Sequence, residues 1–392
     1  MKFSVLLPTR NRLELLRYAV ESVRRQDYSD WEVIVSDNDS TDDVRSYASQ
    51  LQDPRIRYVR TPRFLPVTEN WNQALAKSTG DYVVMLGDDD SLLPGYFTKL
   101  AALIEKHGGP DVVYVEAVQY AYPGVIPGNA KGFVQTGYCE FMHGRKEPFL
   151  LSTTEARTAV GKSMQMRLSF SFNMQHSLFS RATFQRLAPH GPFFQSPYPD
   201  YYATNVLLLT CERVLVVPEA LVAIGISPKS FGYYYFNARQ AEGRAFLDNL
   251  GESSVPRHAR DAILPGNELI TCWYVAMACI EHNFGAQYQV RVDIDRYRYL
   301  QVLYLDRKAG RELIRALWSR LSAGERIRYG AKRAWIFLVS RLLRGGTGAR
   351  IAQRTMDRDG MFPRFDPRKH EVEFRNILEL FENWGVHSSS LQ

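Results

Sequence analysis

The stretch GDYVVMLGDDDSLLPGY, from Gly80 to Tyr96, places three adjacent carboxylates directly after an apolar run. The run from Tyr82 to Leu86 has the length and composition of a buried strand, and Gly87 separates it from Asp88, Asp89 and Asp90. Neighbouring carboxylates repel one another, so their position at the end of such a strand needs a physical reason. Two explanations fit: the acids and Ser91 cap the following helix, or the acids bind a cation.

Apolar, strand-like segments alternate with amphipathic, helical segments on both sides of this stretch. The strand-like segments are Phe3–Pro8, Trp31–Asp37, Ile56–Arg60, the run before Gly87, and Asp111–Ala117. The helical segments lie within Arg12–Gln26, from about Asp42, at Glu69–Ser78, and from Pro94 onward. Continuously apolar strands separated by helices predict an α/β fold with a mostly parallel sheet flanked by helices.

Periodicity becomes weaker after this alternation. Residues 120–163 predict loops and allow a hairpin, and Arg213–Ile224 predicts a late strand with a connector. The pattern turns helical from about Tyr233. We therefore predict a catalytic domain over residues 1–232 and a helical, basic C-terminal region over residues 233–392.

Three polar clusters follow predicted strands: Pro8–Arg12, Ser36–Asp43, and the three acids. The carboxyl ends of parallel strands share one edge of a sheet, where ligands bind in open α/β folds. Neither a G-x-G-x-x-G nor a P-loop motif is present to hold phosphates. A nucleoside diphosphate at this edge would need Mg²⁺ or Mn²⁺ on the carboxylates. Taken singly, Asp37 and Asp39 also fit Asx turns, and Arg12 fits a surface charge.

The motifs VLLPTRNR, VIVSDNDSTDD and NWNQALAKSTGDYVVMLGDDDSLLP occur in this order and together resemble family 2 glycosyltransferases. That family has the GT-A fold and a D-x-D motif, and the resemblance covers about Lys2 to Leu100 well. Asn72, Gly80 and Tyr82 match the segment that precedes the D-x-D. Gly87 stands where the commonest family pattern has Asp, so the metal ligands fall among the three acids, with Asp89 favoured.

The resemblance also implies roles for individual residues. The nucleotide-sugar site would comprise Pro8, Thr9, Asn11, Arg12, Asp37, Asp39, Asn72 and Asp88. Asp200, which lies before an amphipathic helix, would be the general base, although a helix cap looks the same in sequence. Lys229, after the late strand, is assigned to the leaving pyrophosphate, with an ordinary surface lysine as the alternative.

The implied function is that of an inverting hexosyltransferase that depends on Mn²⁺ or Mg²⁺. It would move a sugar from a nucleotide-diphosphate sugar to a hydroxyl of a saccharide or lipid-linked acceptor in cell-surface polysaccharide synthesis. A sugar nucleotidyltransferase is one alternative, but it usually opens with a glycine-rich loop that PTRNR lacks. A catalytically inactive carbohydrate-binding or scaffold relative is the other.

The chain has a net charge of +7, which suits anionic partners. The segment GERIRYGAKRAWIFLVSRLL, Gly324 to Leu343, predicts either an interfacial helix on an anionic membrane or a helix packed on the catalytic domain. We expect no nucleic-acid partner, since no such motif accompanies the basic residues. Four cysteines without a C-x-x-C pair predict a cytoplasmic protein. No apolar run has bilayer length, so any membrane contact would be peripheral, at the cytoplasmic face.

Overall fold

The computed structural model describes residues 1–125, 130–230, 233, 255–305, 310–342, 361 and 369–391. Its centre is an eleven-stranded mixed sheet in which β11, β7, β6, β9, β4, β1, β2 and β3 lie side by side, while β10 joins β5, β6 and β8. The strands are β1 Phe3–Thr9, β2 Trp31–Asp37, β3 Ile56–Arg60, β4 Tyr82–Met85, β5 Ser91–Leu92, β6 Val112–Ala121, β7 Gly132–Thr136, β8 Phe149–Leu151, β9 Ser177–Ser180, β10 Val214–Ile226 and β11 Lys369–Val372.

The first four long strands are parallel, as the sequence predicts. β1 pairs in parallel with β2 and with β4, and β2 pairs in parallel with β3. Thr9 is in register with Asp37, and Asp37 with Arg60, so the carboxyl ends of β1, β2 and β3 meet at one edge. The polar residues that follow these strands are thereby collected on one side of the molecule.

Helices cover both faces of the sheet. They are α1 Leu13–Arg24, α2 Val44–Gln50, α3 Val67–Lys77, α4 Tyr96–Lys106, α5 Thr153–Met164, α6 Arg181–Leu187, α7 Pro199–Thr210, α8 Arg257–Ala262, α9 Glu268–Tyr288, α10 Ile294–Leu303, α11 Arg311–Ser319, α12 Ala323–Leu342 and α13 Ile377–Leu391. Val5 of β1 packs in the core beneath α1 and α4, whereas Leu6 packs in the core with α3, α5, α7 and α9. Alternate side chains of one strand are thus buried on opposite faces, which explains the continuously apolar runs.

The C-terminal region is helical, as predicted, but its last elements return to the sheet. β11 pairs antiparallel with β7. Val372, Ile377 and Leu380 are buried in one cluster with Val118 and Tyr120 of β6. Contacts of the sheet thus cross the predicted domain boundary at residue 232, and this boundary stays a prediction.

The described structure departs from the expected elements in two places. Residues 153–164 form α5 within the segment predicted as loops, and a capping box between Ser152 and Glu155 starts this helix. β10 runs through Pro218 as one strand, because shifts in register between Val217 and Val222 accommodate the proline. β6 and β7 form the antiparallel pair that the sequence allowed. None of the described helices combines the length and the apolar character needed to span a bilayer.

Candidate active site

The three acids lie in a loop between β4 and β5, which we call the acidic loop (Asp88, Asp89 and Asp90). The next helix, α4, begins at Tyr96 behind Gly95, which makes no side-chain cap. Ser91 belongs to β5 and pairs with Ala223 of β10. The helix-capping explanation for the acids is therefore wrong, because a strand separates them from the helix.

Asp90 stabilises the loop itself. Its Oδ2 accepts hydrogen bonds from the amide of Gly87 at 2.7 Å and from Nε2 of Gln175 at 2.6 Å, and its Oδ1 accepts one from the amide of Gly225 at 2.8 Å. Burial, reinforced by the charge of Asp89, raises the pKa of Asp90 to about 7. Both oxygens of Asp90 are engaged by the fold, and its place among the metal ligands stays a prediction beside those of Asp88 and Asp89.

The same contact explains why glycine stands at position 87. A Cβ on Gly87 would lie 2.5 Å from Oδ2 of Asp90. A side chain at position 87 would therefore collide with the carboxylate of Asp90. The departure from the commonest family pattern at Gly87 thus accompanies a carboxylate that supports the loop from inside.

Asp88 and Asp89 share one cation, Arg12. Oδ1 of Asp88 is 3.0 Å from Nη1 of Arg12, and Oδ1 of Asp89 is 4.0 Å from the same nitrogen. Asp88 also accepts from the hydroxyl of Thr9 at 2.7 Å, and Asp89 accepts from the hydroxyl of Ser227 at 2.8 Å. Burial raises the pKa of Asp89 to about 6, while the charge of Arg12 opposes this shift. The ends of β1, β4 and β10 thus meet around one carboxylate pair.

Lys229 joins this group from the segment after β10. Its Nζ donates to the carbonyl of Asn11 at 3.1 Å, and Arg12 donates to the carbonyl of Lys229. The side chain of Lys229 is exposed but lies at the sheet edge beside Arg12. Two cations therefore stand side by side at the edge that carries the acidic loop. Pro8 contributes backbone at the end of β1, in register with Ser36.

A second cluster lies at the end of β2. Asp37 is fully buried and accepts from the amide of Ser40 at 2.9 Å, from the hydroxyl of Tyr58 at 2.7 Å and from Arg60 at 3.2 Å. Asp39, with a φ of +55°, also accepts from Arg60, at 2.7 Å. Sequence reasoning missed Tyr58 and Arg60, although the parallel register that pairs Arg60 with Asp37 follows from the predicted sheet.

Asn11 connects the two clusters. Its φ is +53°, and its amide donates to the hydroxyl of Ser40 at 3.1 Å. Its side-chain oxygen accepts from the amide of Thr41 at 2.7 Å. The unusual backbone of Asn11 therefore holds the end of β1 against the loop after β2.

The side chain of Asn72 joins α3 to Phe194 and, among the residues that the structure describes, makes no hydrogen bond with either polar cluster. Its side chain donates to the carbonyl of Phe194 at 2.8 Å and accepts from the amide of Phe194 at 3.1 Å. A two-point tie of this kind anchors α3 to the segment before α7. In the structure Asn72 thus has a structural role, and its assignment to the nucleotide site is a prediction that no contact supports.

Asp200 is the second residue of α7, and Tyr198 is the N-cap of that helix without a side-chain cap bond. Oδ1 of Asp200 accepts from the amide of its neighbour Tyr201 at 3.0 Å. Burial raises the pKa of Asp200 to about 7. This carboxyl is thus set near neutrality, where a general base works best.

The helix that carries Asp200, α7, contacts the segment that leads to the acidic loop. Thr204 lies one turn further along this face and donates to the carbonyl of Phe172 at 2.8 Å. The segment from Phe172 continues to Gln175, whose side chain binds Asp90. A short chain of contacts therefore links the helix of Asp200 to the carboxylates at the end of β4.

The acids present suit a divalent metal only in part. Among the residues that the structure describes, no three His, Cys, Asp or Glu side chains come together as a metal site. Mg²⁺, however, is commonly held by one or two carboxylates together with substrate phosphates. Asp88 and Asp89 provide such a pair, already compensated by the positive charge of Arg12.

The sheet is mixed, with a parallel core of β1 to β4, helices on both faces and a buried acidic loop at the carboxyl edge of that core, which confirms the predicted α/β class. The model of the family "Glycosyl transferase family 2" matches residues 4–169 of this chain.

Two curated relatives of the matched segment are named as glycosyltransferases. A GalNAc(5)-diNAcBac-PP-undecaprenol beta-1,3-glucosyltransferase of Campylobacter jejuni is 41% identical over 25% of this chain and 33% of its own length. The putative colanic acid biosynthesis glycosyl transferase WcaA of Escherichia coli is 39% identical over 23% of this chain and 33% of its own length. The chain thus spans about a third of the length of these two relatives.

A crystal structure of S. aureus TarS 1–349 in complex with UDP-GlcNAc is 16% identical, covering 93% of this chain and 94% of that chain, with a TM-score of 0.49. A score at this level supports no conclusion about the site.

Proposed function

We propose that this chain is an inverting glycosyltransferase that moves a sugar from a nucleotide-diphosphate sugar to an acceptor hydroxyl. The observation that carries the proposal is the juxtaposition at one sheet edge of Asp88 and Asp89, Arg12 and Lys229. The helix of Asp200 is linked to this edge through Phe172 and Gln175. The first four side chains suit a nucleoside diphosphate, and Asp200 suits a proton acceptor.

In the proposed reaction Asp200 takes the proton of the acceptor hydroxyl as the hydroxyl oxygen attacks the anomeric carbon. The new glycosidic bond forms while the bond from that carbon to the diphosphate oxygen breaks, and the electron pair leaves with the nucleoside diphosphate. Arg12 and Lys229 lie where they would offset the negative charge of this leaving group. Attack from the side opposite the leaving group inverts the configuration at the anomeric carbon.

Mn²⁺ or Mg²⁺ is the proposed cofactor, with Asp88 and Asp89 as its protein ligands. When bound, the ion would neutralise the diphosphate as a Lewis acid. The nucleotide base and ribose are assigned to Pro8, Thr9, Asn11, Asp37 and Asp39, which the structure gathers at the ends of β1 and β2.

The acceptor is proposed to be a saccharide or a lipid-linked saccharide in cell-surface polysaccharide synthesis. Two relatives support this acceptor class. The name of the Campylobacter jejuni relative specifies an undecaprenol-linked diphosphate saccharide, and WcaA is named for colanic acid biosynthesis. Peripheral contact with the cytoplasmic face of an anionic membrane is part of the same proposal.

Incubation of the full chain with a panel of nucleotide-diphosphate sugars, with Mn²⁺ or with chelator, tests this function. We expect release of nucleoside diphosphate from one donor, dependent on metal, and an inverted anomeric centre in the product by NMR. Formation of nucleotide sugar from sugar phosphate and nucleoside triphosphate would favour a nucleotidyltransferase instead. Saccharide binding without turnover of any donor would favour an inactive relative.

A further inference from the structure

Helix α12 presents an apolar stripe to solvent, formed by Ile327, Ala331, Ala334, Trp335 and Leu338. The side chains of Ile327, Trp335 and Leu338 are 74%, 56% and 48% exposed, and the two alanines are exposed as well. The spacing of four, three, one and three residues puts all five on one side of a helix. In the described part of the chain, the other large apolar side chains with such exposure are Met1 and Leu150. An exposed apolar surface is thus concentrated on one helix.

The opposite side of α12 is anchored to the protein. Tyr329 is buried with Tyr299 of α10 and with Leu317 and Leu321 next to it. Its hydroxyl donates to Asp295 at 2.7 Å. The helix is therefore held in place by one face, chiefly against α10, while its apolar stripe points outward.

Beside the apolar stripe lies a basic cavity of about 210 Å³, lined by Arg167, Arg296, Arg328 and Lys332. Two carboxylates, Asp293 and Asp295, also line it, so the side chains around it carry a net charge of +2. Both acids have local partners: Asp293 accepts from the amide of Arg296, and Asp295 accepts from Tyr329 and Arg328.

Two of the cations remain available to a ligand. Arg167 and Lys332 are exposed and have no carboxylate partner among the residues that the structure describes. Nζ of Lys332 lies 4.7 Å from the centre of the Tyr299 ring, which holds the ammonium at the wall of the cavity. Arg328 and Lys332 are four residues apart, so they form a row along the flank of the apolar stripe.

We propose that α12 lies in the surface of an anionic membrane and that the basic cavity receives the phosphate headgroup of an anionic lipid. Interfacial helices bury their apolar face at the boundary of headgroups and acyl chains, and nearby lysines and arginines bind anionic headgroups. An exposed tryptophan on the apolar side suits this boundary as well. This surface extends the membrane contact proposed above and can be tested without any sugar transfer.

Flotation of the full chain with vesicles tests the surface. We expect binding to vesicles of 70% phosphatidylcholine and 30% phosphatidylglycerol, weak binding to pure phosphatidylcholine, and release at high salt. The double variant Arg167→Gln/Lys332→Gln should weaken binding to the anionic vesicles on the order of tenfold. The matched control is Lys106→Gln/Arg257→Gln, which removes the same two charges from exposed positions on α4 and α8.

Quenching by brominated phosphatidylcholine, mixed into the anionic vesicles, tests insertion of the apolar stripe. Tryptophan emission should fall on binding, and most of that quenching should vanish in Trp335→Phe. Equal losses in the two double variants would overturn the basic cavity as a headgroup site and leave only net charge. Equal binding to neutral and anionic vesicles, no binding at all, or unchanged quenching in Trp335→Phe would overturn the docking surface.

Discussion

Asp200 is the proposed general base, and its pKa suits that role. Its pKa is raised to about 7 by burial, so near neutral pH a large share of the molecules carry the ionised form. Burial also means that the ionised carboxylate is poorly solvated, which favours proton capture from a hydroxyl.

Exchange of Asp200 for Asn keeps the size of the side chain and removes the proton acceptor. We expect turnover to fall by about 10²–10⁴, the usual contribution of a positioned base, with little change in donor affinity. The wild-type rate should increase as pH rises through about 7, because only the ionised carboxylate accepts a proton. Steady-state kinetics across pH, with calorimetry of donor binding, measure both effects.

Asp261→Asn is the matched control, since Asp261 is an exposed carboxylate on α8. It should leave the rate and the pH profile unchanged. Near-normal turnover by Asp200→Asn would show that another group is the base. An equal fall in donor binding and in rate would instead assign Asp200 to the nucleotide site or to the fold.

Asp89 is the residue on which metal dependence is expected to rest. Asp89→Asn keeps an oxygen that can accept from Ser227 while removing the charge that a divalent ion needs. Binding of a nucleoside diphosphate in the presence of Mn²⁺ should weaken by more than about tenfold, and chelator should weaken wild-type binding similarly. Calorimetry with Mn²⁺, with chelator and with the variant makes the comparison, and equal affinities in all three would refute the metal role.

Single-residue roles could be predicted from sequence only where neighbours along the chain decide them. The acids after β4 and the polar residues after β1 and β2 follow from strand ends. The role of Asp90 in holding the acidic loop cannot be predicted in this way, because its donors Gln175 and Gly225 lie 85 and 135 residues away. Nor can the two-point tie of Asn72 to Phe194, which joins positions 122 residues apart.

Among the elements, β10 supports the acidic loop by close backbone approach. A Cβ on Gly225 would lie 1.9 Å from the carbonyl oxygen of Asp89, so only glycine fits without movement. The same residue donates its amide to Asp90. β10 thus fixes the position of the loop that carries Asp88 and Asp89.

We predict that Gly225→Ala lowers the free energy of unfolding by about 1–3 kcal/mol and weakens nucleotide binding, because the acidic loop has to shift. Denaturant unfolding and calorimetry measure the two effects. Gly161→Ala is the control: this glycine lies within α5 with no atom within 4 Å of an added Cβ. It should raise stability by about 0.5–1 kcal/mol. Unchanged stability in Gly225→Ala would mean that the loop is free to move.

Most elements of the parallel half follow from hydrophobic periodicity, since both faces of those strands are buried. β5 and α5 do not follow so readily. β5 has two residues, too few for a periodic signal, and it forms because Ser91 and Leu92 pair with β10. α5 is as long as α1, but its buried side consists largely of small residues, so the capping box at Ser152 and Glu155 is the local signal that marks it.

At the scale of the whole molecule, the C-terminal end is part of the catalytic sheet. β11 extends the sheet beyond β7, and α13 packs against α1, with Arg25 bound to Glu382 at 2.6 Å. The sequence gives no sign of this return, because a partner for β7 more than 200 residues away leaves no local pattern. Sheet, site and C-terminal helix are therefore expected to unfold together.

Leu380→Ala tests this cooperativity. Leu380 is fully buried beside Ile377 and Val118, so its truncation should cost about 2–5 kcal/mol and lower the midpoint of one shared transition. Leu338→Ala is the matched control, because Leu338 also lies on a helix but is 48% exposed, and its loss should stay within about 0.5 kcal/mol. Thermal unfolding followed by circular dichroism reports the loss of helix. The increase in the unfolding midpoint that a bound nucleotide produces reports the nucleotide site. If Leu380→Ala melts α13 while the nucleotide site keeps its wild-type midpoint, the C-terminal helix is an independent unit and a boundary near residue 232 gains support.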